Sequence, residues 1–122
     1  MATVAAARVA GPMSGGRLKI YKWAAIAAGD TITPLIPDGY FSDVTVYFTG
    51  TFGGNMGLNG AADPALAAGS FVGMHDAETG ALIATISAAV AHSVLNGAYA
   101  FQPTVGAGVG AVDVWLFCRA SK

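Results

Sequence analysis

The clearest pattern in the chain is an alternation of apolar and polar residues over residues 43–49. The apolar side chains occupy every second position, at Val44, Val46 and Phe48. A period of two is typical of a half-buried β-strand. After a glycine-rich stretch at residues 51–54, the alternation resumes with Met56 and Leu58. We therefore predict two antiparallel strands joined by a glycine-rich corner.

The strongest strand pattern lies at residues 111–120. One face carries four apolar residues, Val112, Val114, Leu116 and Cys118. The other face carries Asp113 and Arg119 together with two large rings, Trp115 and Phe117. Because an apolar face left in water promotes aggregation, we expect this second face to be covered by the other sheet or by further copies of the protein. We predict a homo-oligomer, either a trimer or a dimer.

Shorter alternations predict further strands. A first strand is expected at residues 17–23. Its predicted faces are Leu18 with Ile20 and Lys19 with Tyr21. Residues 71–75 and 81–87 are expected to form a hairpin, with a positive φ at Gly80 in its turn. One face of the return strand is predicted to carry Leu82, Ala84 and Ile86.

The region after this hairpin is less regular. Residues 88–96 fit either a helix or a strand, and the abundance of glycine and β-branched residues in the chain favours a strand. Residues 99–105 form another predicted strand, which Pro103 places at a sheet edge. A second glycine corner is expected at residues 106–110.

Seven or eight short antiparallel strands with no amphipathic helix predict an all-β protein. The expected architecture is a single β-sandwich or jelly-roll-like domain over residues 17–122. A chain of 122 residues fits one domain with one core. The predicted core residues are Val46, Phe48, Leu82, Val114 and Leu116.

Residues 1–16 are predicted to form a flexible N-terminal arm. They are rich in alanine, glycine and valine, and Arg8 is their one charged side chain. Fixing a backbone costs about 1–2 kcal/mol per residue, and such small side chains cannot recover this cost by packing on one another. We expect the arm to be disordered in solution and to anchor the protein when it lies against a partner.

The chain is poor in charge. Charged residues make up 11% and hydrophobic residues 54%, against about 25% charged residues in a typical soluble domain. The formal net charge is -1, so no strong field attracts nucleic acid, and we expect no nucleic-acid partner. No membrane segment is expected, because no stretch has the roughly 20 continuous apolar residues that a spanning helix needs. The single cysteine, Cys118, excludes an internal disulfide and is expected to be buried and inert.

The sequence offers little catalytic chemistry. The closest grouping is His75, Asp76 and Glu78, at a predicted turn where polar residues are expected for solvation alone. The glycine runs at 53–54 and 106–110 lack the lysine and the following helix of a phosphate-binding loop. We therefore predict no enzymatic activity, no metal site and no cofactor.

Aromatic side chains are the main candidates for binding. Several of them are expected at the surface, and contact with another protein is the plainer use of rings on a surface poor in charge. A sugar-binding surface is the alternative. The predicted interface residues are Arg8, Tyr21, Trp23, Tyr40, Trp115 and Phe117.

The order of these features is similar to that of a known group of proteins. The similarity rests on the following features: Trp23 followed by Gly29-Asp30-Thr31, the strand at 43–49 with its glycine corner, the turn at 76–81, and the closing strands at 99–105 and 112–119. In this order the chain resembles small β-sandwich virion proteins of tailed bacteriophages, the head decoration or cement proteins. It departs from them at residues 59–63, where Asn-Gly-Ala-Ala-Asp stands in place of an acidic residue and a Ser-Asn-Asp-Gly turn.

The resemblance implies a protein that binds the outer surface of the phage head and stabilises it by bridging subunits of the major capsid protein. It implies no active site, because the functional residues of such proteins are contacts with capsid subunits and with copies of themselves. The virion surface is then the expected location. The alternative expectation is a receptor- or glycan-binding module of a phage tail fibre or spike.

Overall fold

The computed structural model describes residues 2–9, 18–37, 41, 43–95 and 98–119. The strands in these ranges are β1 (Thr3–Val4), β2 (Ala7–Arg8), β3 (Leu18–Ile26), β4 (Thr31–Ile32), β5 (Asp43–Thr51), β6 (Met56–Ala61), β7 (Phe71–Gly73), β8 (Val90–Ser93), β9 (Ala100–Val105) and β10 (Ala111–Arg119). One 3₁₀ turn, Ala68–Ser70, precedes β7. The fold is all-β, as predicted, and its antiparallel sheets are consistent with a β-sandwich. In this part of the chain no helix has the length and apolarity of a membrane-spanning segment.

The larger sheet has five strands in the order β2-β3-β10-β5-β8. β10 lies at its centre and pairs antiparallel with both β3 and β5. The apolar face predicted for β10 is confirmed. Its fully buried members are Val112, Val114, Leu116 and Cys118. Val46 and Phe48 of β5 are buried beside them, so the central strands share one inner face.

The smaller sheet has three antiparallel strands in the order β7-β6-β9. The predicted pairing of β5 with β6 is wrong, because these strands belong to different sheets. Met56 and Leu58 of β6 are fully buried, as their alternation predicted. Alternating residues are buried whether two strands pair side by side or face each other across a core. The pattern therefore located both strands without showing how they are arranged.

Two glycine corners pack against each other where the chain crosses between the sheets. A Cβ atom on Gly53 would lie 2.6 Å from the carbonyl oxygen of Gly108, and the reverse distance is also 2.6 Å. Both residues have a positive φ, +86° at Gly53 and +88° at Gly108. The two backbones touch with no side chain between them, which only glycine permits.

The inner face of β3 carries aromatic residues. Tyr21 is 6% exposed and Trp23 is fully buried, with its Nε1 donating to the carbonyl of Thr33 at 3.0 Å. Neither ring can serve as the surface contact that was predicted. One lysine lies on each face of this strand, Lys19 with the rings and Lys22 opposite them, so polarity did not distinguish the inner face from the outer one.

A β-bulge interrupts β3 near its end. The register between β3 and β10 shifts between Val112 and Val114. Ala25 takes a φ of +54° at this point and donates its N–H to Asp113 Oδ1 at 2.8 Å. Because a bulge changes which side chains point inward, Ile26 returns to the core and is fully buried.

Residues 81–87 do not form the predicted return strand and pair only through isolated bridges. Ile83 lies between Met74 and Leu58, donating its N–H to the first and accepting from the N–H of the second, both at 2.9 Å. Ile83 is therefore 2% exposed, whereas Leu82 is 52% exposed and its predicted place in the core is wrong. The other predicted core residues are buried, namely Val46, Phe48, Val114 and Leu116.

Part of the predicted arm is bound to the sheets. β1 pairs parallel with β4, β2 pairs antiparallel with β3, and Ala2 donates its N–H to Asp30 Oδ1 at 3.0 Å. The expected disorder is therefore wrong for residues 2–9, here called the N-terminal strap. Hydrogen bonds to the neighbouring strands, with packing of Val4 and Ala6 against the core, offset the ordering cost that the segment could not recover alone. The rest of the predicted arm lies outside the described residues.

Three smaller predictions are confirmed. Gly80 has a φ of +75° in the turn at residues 76–80. Within the stretch 88–96, for which a strand was favoured over a helix, Val90–Ser93 forms β8. Pro103 lies in β9, an edge strand of the three-stranded sheet.

Candidate binding face on the five-stranded sheet

The outer face of the five-stranded sheet carries a cluster of rings at its centre. The register places Lys22 of β3, Trp115 of β10 and Tyr47 of β5 side by side. Phe117 lies two residues beyond Trp115 and therefore on the same face of β10. We call Tyr47, Trp115 and Phe117 the aromatic face. It arises because β5 and β10 pair in a register that places their outward-pointing residues next to each other.

The rings of the aromatic face are close together and accessible. The ring centroids of Tyr47 and Phe117 are 4.8 Å apart and the rings are inclined at 53°, within the range of favourable aromatic pairs. Tyr47 is 40% exposed, and Trp115 and Phe117 are half-buried. Together with Thr49, the rings line a shallow depression of about 300 Å³. This depression is open enough to receive a flat surface or a protruding group.

Polar contacts hold the rim of the aromatic face in place. Trp115 Nε1 donates to Thr49 Oγ1 at 3.3 Å. Lys22 Nζ lies 4.5 Å from the centroid of the Trp115 ring and 3.5 Å from Asp113 Oδ2. Since Asp113 also accepts the N–H of Ala25, the bulge in β3 positions the carboxylate that positions the lysine. These contacts orient Trp115 before any partner binds, which lowers the entropy cost of binding.

The predicted interface residues fall in different places. Trp115 and Phe117 lie together on the outer face, as expected from their alternation. Tyr21 and Trp23 are in the core. Arg8 is exposed on β2, beside β3 at the sheet edge. Tyr40 lies outside the described residues.

Sequence reasoning missed Tyr47 and Lys22 as members of this face. The alternation with Val46 and Phe48 did place Tyr47 on the outer side of its strand. What was missing is the pairing of β5 and β3 with β10, which brings both side chains next to Trp115. No local pattern specifies a pairing across about 70–90 residues of chain.

The carboxylate of Asp76 is engaged in contacts within and beside the turn at residues 76–80. Its Oδ2 accepts the hydroxyl of Thr79 at 2.8 Å and the N–H of Thr79 at 3.1 Å, while Oδ1 lies 3.5 Å from His92 Nδ1. The Thr79 hydroxyl is the largest of the contacts that hold the pKa of this carboxyl below its usual value. Asp76 is 7% exposed, while Glu78 points to solvent. The grouping noted in the sequence therefore stabilises a turn and presents no open pair of carboxylates.

Two further observations bear on chemistry. Burial raises the pKa of the Cys118 thiol to about 12, so the thiol is protonated at neutral pH. Among the residues that the structure describes, no three His, Cys, Asp or Glu side chains are grouped closely enough to hold a metal ion.

In comparisons with known proteins, the chain matches no family model, no curated protein and no solved structure. The function is therefore argued from the aromatic face and from the resemblance noted in the sequence.

Proposed function

We propose that this protein is a bacteriophage capsid decoration, or cement, protein that binds the outer surface of the head and bridges subunits of the major capsid protein. The observation that carries the proposal is the aromatic face, a preoriented cluster of rings on a regular sheet. The resemblance to small virion β-sandwiches supports the same assignment. The proposal includes no enzymatic activity and no cofactor.

The aromatic face has properties that suit attachment to a protein surface. Aromatic residues are enriched at the centres of interfaces, where a few of them supply most of the binding energy. Tyrosine and tryptophan lose little conformational entropy on binding, and Trp115 is already held by Thr49 and Lys22. Copies of the protein would associate as a trimer or a dimer on the capsid lattice, so that weak single contacts add through avidity.

The direct test is binding to undecorated heads assembled from the major capsid protein that the proposal assigns as its partner. We expect near-stoichiometric occupancy that follows the capsid symmetry in electron micrographs. The variant Trp115→Ala should lose about 2 kcal/mol of binding free energy, or roughly thirtyfold in affinity, the size expected for a central interface residue. No binding of the parent protein at micromolar concentration would contradict the proposal.

The matched control is Val72→Ala. Val72 is 60% exposed but lies on β7 of the smaller sheet, away from the aromatic face. We expect this variant to occupy heads as the parent does. Equal losses of affinity for both variants would show that the aromatic face is not the attachment surface.

A second candidate function is a receptor- or glycan-binding module of a tail fibre or spike. It is favoured by the polar groups at the rim, because rings flanked by a hydroxyl, an ammonium and a carboxylate are the mixture found in small-molecule sites. Thr49, Lys22 and Asp113 supply these groups. Binding on a glycan array that disappears in Trp115→Ala, with labelling of tails instead of heads, would favour this function over decoration.

A further inference from the structure

The N-terminal strap is held mainly through its backbone. Thr31 donates its N–H to the carbonyl of Ala2 at 2.9 Å, and Thr33 donates to Val4 at 2.8 Å. At the other end of the strap, Val9 donates to the carbonyl of Ile20 at 2.8 Å. The strap therefore runs along two strand edges, first that of β4 and then that of β3.

The strap contributes few side chains to the core. Only Val4 and Ala6 are partly buried and packed against it. The exposed residues of the strap are Ala2, Thr3, Ala5, Ala7 and Arg8. A segment with so little buried apolar surface belongs to the parts of a fold that open most easily.

The two strands that hold the strap, β3 and β4, are bound to the core much more firmly than the strap is. β3 carries the buried Tyr21 and Trp23, and β4 carries Ile32, which is 6% exposed. If the strap leaves, these strands stay in place and present unpaired N–H and carbonyl groups, which favour pairing with another strand. The strap of any second copy has the same sequence and can make the same hydrogen bonds.

The connection between the strap and β3 is long enough to reach a neighbour. Residues 10–17 join Val9 to Leu18 and include three glycines. In extended form this connection spans about 30 Å. A domain of this length has a radius of gyration of about 14 Å, so the strap can reach the same edge on a copy in contact.

We propose that the strap is exchanged between copies, so that residues 2–9 of one chain complete the β3 and β4 edges of a second copy. The closed single chain dominates in dilute solution, because the connection keeps its own strap at high effective concentration. Exchange takes over when copies are crowded, and it links two copies because the strap belongs covalently to one chain and is hydrogen-bonded to the other. This inference does not rest on capsid binding.

The test uses two full-length variants, Thr3→Cys and Thr31→Cys, mixed in equal amounts under a glutathione redox buffer. Thr3 and Thr31 are exposed neighbours in register, and neither variant alone can form this bond within one chain. Transfer of the strap of a Thr3→Cys chain onto a Thr31→Cys chain is therefore trapped as a disulfide between the two chains. Cys118 can remain, because its buried thiol stays protonated. Mass spectrometry of the linked peptides identifies the bond.

At about millimolar protein, comparable to the effective concentration of a short linker, we expect the mixed disulfide to exceed that of a collision control by at least about tenfold. The collision control pairs Thr3→Cys with Ser87→Cys, an exposed position that is not in register with the strap. A yield no higher than this control overturns the proposal. Ala7→Cys with Lys22→Cys gives a second, independent register pair if either threonine variant is unstable.

One further arm separates strap exchange from association through the aromatic face. Introducing Trp115→Ala into both chains should leave the yield of mixed disulfide unchanged. A fall to the level of the collision control would show that the aromatic face brings the copies together, and would overturn strap exchange as the cause of their association. Failure of this test leaves capsid binding untouched, and the reverse also holds.

Discussion

The five-stranded sheet and the three-stranded sheet are specified in different ways. The five-stranded sheet is built around nine-residue strands whose large side chains alternate cleanly between core and surface. The three-stranded sheet has shorter strands, and β6 is buried on nearly all its positions, including Gly57 and Gly60. A Cβ on Gly57 would lie 2.8 Å from the carbonyl of Ile83, and one on Gly60 would lie 2.9 Å from Met74 Sδ. Side-chain alternation therefore marks the two faces of β5 and β10, whereas β6 is packed closely by its neighbours and its burial does not alternate.

The largest expected effect tests the alternation of the five-stranded sheet. Replacing the fully buried Phe48 by alanine should lower the free energy of unfolding by about 3–5 kcal/mol, because a cavity is left in the core. The matched control is Tyr47→Ala on the opposite face of β5, which should cost about 1 kcal/mol through loss of its contact with Phe117. Chemical denaturation measures both. If Phe48→Ala melts within a few degrees of the parent, the assignment of the inner face is wrong.

A second pair of variants tests residues 81–87, where the alternation pattern predicted the wrong residue to be buried. Ile83→Ala should cost about 2–5 kcal/mol, since this side chain is 2% exposed. Leu82→Ala should change stability by about 0.5 kcal/mol or less, the usual range for a surface position. Thermal unfolding of the two variants side by side decides between them. A greater loss for Leu82→Ala would restore the core position expected from the sequence.

A third prediction compares two glycines with similar φ but different surroundings. Gly80→Ala should cost about 1–2 kcal/mol, the penalty of a left-handed backbone, because nothing lies within 4 Å of its Cβ position. Gly53→Ala adds a collision with the Gly108 carbonyl, and overpacking of this kind costs about 1–3 kcal/mol more. Urea titrations of both variants measure the difference. Equal costs would mean that the glycine corners are not in contact.

The smallest effect concerns pH. The pKa of Asp76 is lowered in the fold, so its contribution to stability is present above the unfolded value of about 3.9 and is lost as pH falls through the folded value. We expect the parent to lose more stability below about pH 4 than Asp76→Asn does. Asp43→Asn, which removes an exposed carboxylate at the start of β5, controls for net charge. Parallel pH profiles for the parent and Asp76→Asn would exclude a stabilising role of this carboxylate.

These contrasts show how much of the fold could be predicted from the sequence. The faces of β5 and β10 were predictable because the inner side of each strand is wholly apolar, whereas the outer side also carries polar or charged residues. In β3 a lysine on each side removed that contrast. At residues 81–87 the neighbours Leu82 and Ile83 are equally apolar, and single backbone hydrogen bonds decide which one is buried. Local patterns therefore determined strand faces only where the two faces differ in chemistry.

The binding face was predictable in part for the same reason. Trp115 and Phe117 were placed on the outer side of β10 by alternation alone. Their association with Tyr47 and Lys22 depends on strand order, which arises from contacts between distant parts of the chain. The order of the strap was not predicted, because it depends on pairing with the edges of β3 and β4. The sequence of the strap itself contains no signal for this pairing.

The central position of β10 has a consequence for the synthesis of the protein. β10 is the last described strand to leave the ribosome, and it is the strand that joins β3 to β5. Its pairs with β3 connect residues about 90 positions apart, and contacts of such separation form slowly. Until β10 has been made, the edges of β3 and β5 that pair with it have no partner strand. The nascent chain therefore carries exposed strand edges through most of its translation, and unpaired edges make an incompletely folded chain prone to aggregate.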